Sequence, residues 1–188
     1  MSISRPIATA LAAAGLAGVL VFGLSACSPE PAPKPSPTPS ASAEPIFASD
    51  EEALAAAVKA YEAFEELSYT IAADGGKDPG RIEQVATPRY SEQLEAEFAQ
   101  YLEAGIHADG ETHLGSYELV EYDERGDRVE VSLYLCSDVT DVRVLDEAGA
   151  DVTPEDRRDV TPLQAFLVGD DEHLLVDKVD LWSGTDFC

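Results

Sequence analysis

The chain has 188 residues, with 12 Lys and Arg against 37 Asp and Glu and a formal charge of −25 at pH 7. That charge repels phosphate backbones and anionic headgroups, so it argues against a nucleic-acid partner and reads first as a solvated acidic surface. The length suits one folded domain plus accessory segments.

Met1 to Pro6 carries a single positive side chain, Arg5, and Ile7 to Leu24 is uncharged and rich in Ala, Gly, Leu and Val. This is the layout of an export signal: a membrane-spanning helix needs about 20 strongly apolar residues, and alanine and glycine weaken this stretch. It closes on Leu24-Ser25-Ala26-Cys27. These four residues resemble the lipobox of bacterial lipoproteins: an aliphatic residue, two small ones, then a cysteine whose thiol accepts a diacylglycerol. The resemblance implies cleavage after Ala26 and a lipid on Cys27, which places the mature chain on the extracytoplasmic face of the cell membrane. An ordinary secreted protein with an incidental cysteine is the alternative. Ser28 to Pro45 holds seven prolines among small and polar residues. Such a segment favours an extended spacer that could reach on the order of 50 Å. The expected organisation is therefore signal peptide 1–26, lipidated cysteine and linker 27–45, and domain 46–188.

From Ile46 the prolines thin out and helix formers take over. Ser49 or Asp50 is placed to cap a first helix, with Glu51 and Glu52 in its first turn, where the helix dipole favours negative charge. Leu54, Val58, Tyr61, Phe64, Leu67 and Ile71 recur at spacings of three and four, which predicts one apolar stripe ending at Gly75-Gly76. A shorter helical run is expected over Gly80 to Ala86, interrupted by Thr87-Pro88. A third helix follows over Tyr90 to Ala104, with Leu94, Phe98, Tyr101 and Leu102 on one face and Gly105 as its cap.

After Gly110 the apolar period changes to two. Leu114 to Tyr122, Arg128 to Leu135 and beyond, Asp159 to Val168, and His173 to Trp182 read as strands. In the second, Val129, Val131, Leu133 and Leu135 alternate with Glu130, Ser132, Tyr134 and Cys136, which predicts one apolar and one mixed face. The polar turns Glu124-Arg125-Gly126-Asp127 and Gly169-Asp170-Asp171 imply antiparallel hairpins, and Glu147-Ala148-Gly149-Ala150 reads as a further turn. The expected fold class is α+β, with N-terminal helices packed on a curved antiparallel sheet.

The order of elements, a long helix, two shorter ones and four strands in hairpins, resembles the nuclear transport factor 2-like superfamily. Leu135-Cys136-Ser137-Asp138-Val139-Thr140, Asp146-Glu147-Ala148-Gly149 and the tail Leu181 to Cys188 are similar to lipoproteins of that kind from high-GC Gram-positive bacteria. The resemblance implies a cone of sheet closed by helices, and it includes homodimers formed through the sheet as well as cofactor-free isomerases and dehydratases.

With Cys27 lipidated, Cys136 and Cys188 remain. An even pair in an exported domain points to a disulfide, which would contribute about 4 kcal/mol in the chain-entropy model. Zinc would need four ligands, and no histidine lies near these cysteines in sequence. His107, His113 and His173 are scattered beside turns, and no Gly-x-Ser-x-Gly, phosphate loop or His-Glu-x-x-His occurs. Asp138, Asp141 and Asp146 do not have the spacing of a calcium loop. No cofactor and no catalytic residue is assigned. Tyr61, Tyr101, Tyr134 and Trp182 are the candidate lining of a cone cavity, although aromatic residues at such spacing ordinarily form core. The expected role is a non-catalytic envelope lipoprotein offering a pocket or sheet face to a protein or small ligand. A small isomerase- or dehydratase-type enzyme is the alternative, and a structural accessory of a larger envelope complex is a third.

Overall fold

The computed structural model describes residues 45–170, 172–183 and 187–188, so the signal segment, Cys27 and nearly all of the linker lie outside the described residues. None of the described helices is long and apolar enough to cross a membrane.

Helix α1 spans Asp50–Ala73. Its start is set by side chains: the Ser49 hydroxyl accepts from the Glu52 amide, and the Glu52 carboxylate accepts from the Ala48 amide at 2.8 Å. This arrangement satisfies one amide that the first turn leaves orphaned, that of Glu52, and ties down the Ala48 amide just before the cap. Ala53, Ala57, Tyr61, Phe64 and Ile71 are its buried residues. The predicted stripe is thus rotated, because the two alanines let the helix approach the sheet closely while Leu54 and Leu67 pack on the flank. The chain reverses through Gly75 and Gly76, both at positive φ. A Cβ on Gly76 would lie 2.1 Å from the Phe98 carbonyl oxygen, so glycine is what allows the reversal to pass against the next long helix.

The expected short helix is a single 3-10 stretch, Pro79–Gln84, anchored by fully buried Ile82. Helix α2 begins earlier than predicted, at Pro88, and runs to Ala104, with Thr87 as its cap and Gly105 in the left-handed conformation at its end. Proline fits the first helical position because the amide it lacks would be unpaired there. Tyr90, Leu94 and Phe98 are buried, whereas Leu102, one turn beyond Phe98 and two residues from the helix end, is 55% exposed.

Six strands follow: β1 Ile106–Asp109, β2 His113–Arg125, β3 Arg128–Asp138, β4 Arg143–Asp146, β5 Val160–Gly169 and β6 Leu174–Leu181. The four long strands form one antiparallel sheet in the order β2-β3-β5-β6, while β1 and β4 make a separate two-stranded ribbon. The fold class is α+β, as the residues predict. Neither ribbon strand is expected from the sequence, since four residues each carry too little alternation. Two register shifts interrupt β2 between Gly115 and Glu121, and Ser116 takes a positive φ of 55° within them. Bulges bend the strand that carries them, and these lie in an edge strand, where a bend also discourages pairing with another chain. The opposite edge is covered: the Val176 amide donates to the Val85 carbonyl, and the Thr87 amide donates to the Val176 carbonyl.

Val129, Val131, Leu133 and Leu135 of β3, with Ala165 and Leu167 of β5 and Val176 of β6, form the helix-facing side of the sheet. They meet Tyr61, Phe64, Ile71, Leu94 and Phe98 in one core. Leu133 is fully buried at its centre, and its truncation to Ala would cost about 2–5 kcal/mol.

Candidate functional site

The four aromatic residues expected to line one cavity fall in different places. Tyr61 is 2% exposed in the core, its ring 5.7 Å from that of Phe64. Tyr134 alternates with Leu133 and Leu135 and therefore projects from the other face of β3. There it stacks on Trp182 at 4.3 Å, and Phe187 meets the edge of both rings. Tyr101 is half-buried near the end of α2 and belongs to neither group. A single aromatic-lined pocket is not assembled, because alternation along β3 separates residues that spacing alone could not assign to faces. Cys136 lies two residues from Tyr134 and is bonded to Cys188, with a Cα separation of 5.4 Å. The C-terminal residue is thereby held at the outer face.

Asp138, Asp141 and Asp146 each serve a local contact. Asp138 accepts from the Thr140 amide, Asp141 faces the His113 ring at 3.1 Å, and Asp146 accepts from the amides of Ala148 and Ala150.

Two features escape sequence reasoning. The first is a polar seam along α1. Glu65 is half-buried, and burial holds its carboxyl above the ordinary glutamate range, partly offset by Thr112. Burial, followed by the charge of Glu65, likewise raises the Tyr61 hydroxyl well above its usual value. Tyr117 donates to Glu62 at 3.1 Å, and Ser68 Oγ is buried without a hydrogen-bond partner among the described residues. Glu65 follows Tyr61 by four positions, so a carboxylate inside the apolar stripe was the available signal.

The second feature is a groove of about 340 Å³ on the outer sheet face, lined by Glu121, Asp123, Glu130, Ser132, Phe166 and Val168 among others. Register explains it. Ser132 pairs with Glu121 on one side and Phe166 on the other, while Glu130 pairs with Asp123 and Val168. A small side chain surrounded by larger ones leaves a hollow whose floor is serine and phenylalanine and whose wall is carboxylate. Two cations border it, and both are engaged: Arg125 pairs with Asp123 at 2.8 Å, and Lys178 pairs with Asp180 while lying 5.4 Å over the Phe166 ring. Glu121 and Glu130 form no ion pair among the described residues.

No family model matches the chain, and no curated protein matches it. Among solved structures it is similar in fold to the crystal structure of the intermembrane space region of the chloroplast protein ARC6, with a TM-score of 0.51 and 11% identity over 70% of this chain and 97% of that one. A solution structure of a de novo β-sheet design aligns with a TM-score of 0.27 and 15% identity over 70% of this chain and 88% of that one, too weak a likeness to carry an argument.

Proposed function

We propose that this chain is a lipid-anchored protein of the extracytoplasmic face of the cell membrane, whose nuclear transport factor 2-like domain binds a protein partner on the outer face of its sheet. One observation carries the reading. The space between helices and sheet, where enzymes of that superfamily work, is occupied by Tyr61, Phe64, Ile71, Leu133, Leu135 and Leu167, each at most 5% exposed. The groove described above lies on the opposite side of the sheet. A homodimer through that same side is disfavoured, because a two-fold axis would set Glu118, Glu121, Asp123 and Glu130 against their own copies.

The test is photo-crosslinking in the membrane, with p-benzoylphenylalanine replacing Phe166 on the sheet or Gln100, an exposed residue of α2. A defined adduct from position 166 and none from position 100 is expected. Adducts from position 100 alone would overturn the assignment of the binding face.

Glu65 favours a second reading, a cofactor-free enzyme of the isomerase or dehydratase type, since a carboxyl with a raised pKa near tyrosines suits proton transfer. Glu65→Gln separates the two. The binding reading expects the position 166 adduct to survive, and the enzyme reading expects the protein's role to be lost with the fold intact.

A further inference from the structure

The outer groove combines features that define what it can hold. Its wall has two carboxylates without ion pairs among the described residues, Glu121 and Glu130, and Glu130 stands directly opposite Asp123 in the register. Like charges facing each other across strands oppose folding; Arg125, which also lines the groove, offsets Asp123, and the carboxylates of Glu121 and Glu130 are left without an ion pair of their own among the described residues. Its floor is apolar at Phe166 and Val168. Ser132, only 6% exposed, lines the hollow and makes no side-chain hydrogen bond among the described residues. Its hydroxyl stays accessible from the hollow, and is therefore open to a hydrogen bond from a side chain that enters it.

Resting on the binding reading above, we infer that this groove receives a basic, extended segment of a protein partner, one of whose Lys or Arg side chains enters the hollow. The aliphatic stem of such a side chain lies over Val168 and the part of Phe166 that Lys178 leaves uncovered, and its charged head sits between Glu121 and Glu130 within reach of Ser132. The next row of the same face continues the match: Glu118, Tyr134, Gln164 and Asp180 stand side by side across the four strands. The row thus has an acidic residue at each end with Tyr134 and Gln164 between them, a pattern that a basic segment with an apolar residue can match. A second copy of this chain, with its net charge of −25, cannot supply that chemistry.

The experiment is fluorescence anisotropy with the full chain in detergent and a labelled heptapeptide of alternating lysine and valine. Glu121→Gln with Glu130→Gln should weaken binding about tenfold. Ser132→Leu, which fills the hollow, should do the same while Trp182 fluorescence reports an unchanged fold. Glu92→Gln with Glu103→Gln on α2 removes the same two charges elsewhere and should change binding by less than about twofold. Equal weakening by the α2 pair would reduce the effect to general charge and overturn the inference, as would absence of peptide binding to the unsubstituted chain. Spermine binding as tightly as the peptide, with the same sensitivity to Ser132→Leu, would make the groove a free-polyamine site and overturn it too. A position 166 crosslink without peptide binding would retain the binding face and reject the basic partner, so the two failures are distinguishable.

Discussion

Tyr134 and Trp182 stack with ring centroids 4.3 Å apart and planes 27° from parallel, on the sheet face that the helices leave uncovered. Cys136 beside Tyr134 is bonded to Cys188, and Phe187 meets both rings edge-on. The end of the chain is fastened covalently and by aromatic contact to the same place.

Breaking that fastening has a defined optical signature. Trp182 is the single tryptophan, so reduction of the disulfide, or Cys136→Ser, should red-shift its emission as the stack loosens and water reaches the indole. The bond closes a sequence separation of 52 residues, and its loss should cost about 4 kcal/mol of stability in the chain-entropy model. Urea denaturation monitored at Trp182, with and without reductant, measures both. An unchanged midpoint would show that the bond constrains nothing.

The proposed lipid anchor rests on Cys27. Cys27→Ala should move the protein from the membrane fraction to the soluble or secreted fraction, and incorporation of a clickable fatty acid should be lost with it. Retention of Cys27→Ala in washed membranes would contradict the anchor.

Glu65 gives a pH dependence with a fixed sign. Its carboxyl is raised on folding, chiefly by burial, so the folded state holds that proton more tightly than the unfolded chain does. The resulting stability is fully present below the unfolded glutamate value of about 4.3, and it is lost as the pH rises through the raised folded value. Glu65→Gln, with no proton to lose, should lack that decline. Urea midpoints of both proteins between about pH 4 and pH 8 test this, and parallel profiles would contradict it.

The strands were legible because β3 alternates strictly, Val129, Val131, Leu133 and Leu135 against Glu130, Ser132, Tyr134 and Cys136, and because Gly126-Asp127 leaves a two-residue loop between β2 and β3. The helices were legible in existence but not in rotation. By spacing Leu54 and Val58 read as core, yet Ala53 and Ala57 are fully buried because small side chains permit close approach to the sheet. Leu102 falls by spacing on the buried face of α2 but is exposed, two residues from the end of that helix. The groove could not be read at all. It depends on which residues stand opposite Ser132 in two neighbouring strands, and two register shifts in β2 displace that pairing from any regular count. The β1–β4 ribbon was invisible for the same reason: the partners Ile106 and Asp146 are distant in sequence and short of pattern.

The central claim is that the domain acts through its outer sheet face because its interior is filled. Diffraction from crystals of the chain under xenon pressure tests it most directly, since xenon enters dry apolar cavities that side chains leave empty. No xenon is expected between α1 and β3, with Tyr61, Phe64 and Leu133 in mutual contact. Xenon, or ligand density, seated beside Glu65 and Tyr61 would contradict the claim and return the enzyme reading to first place.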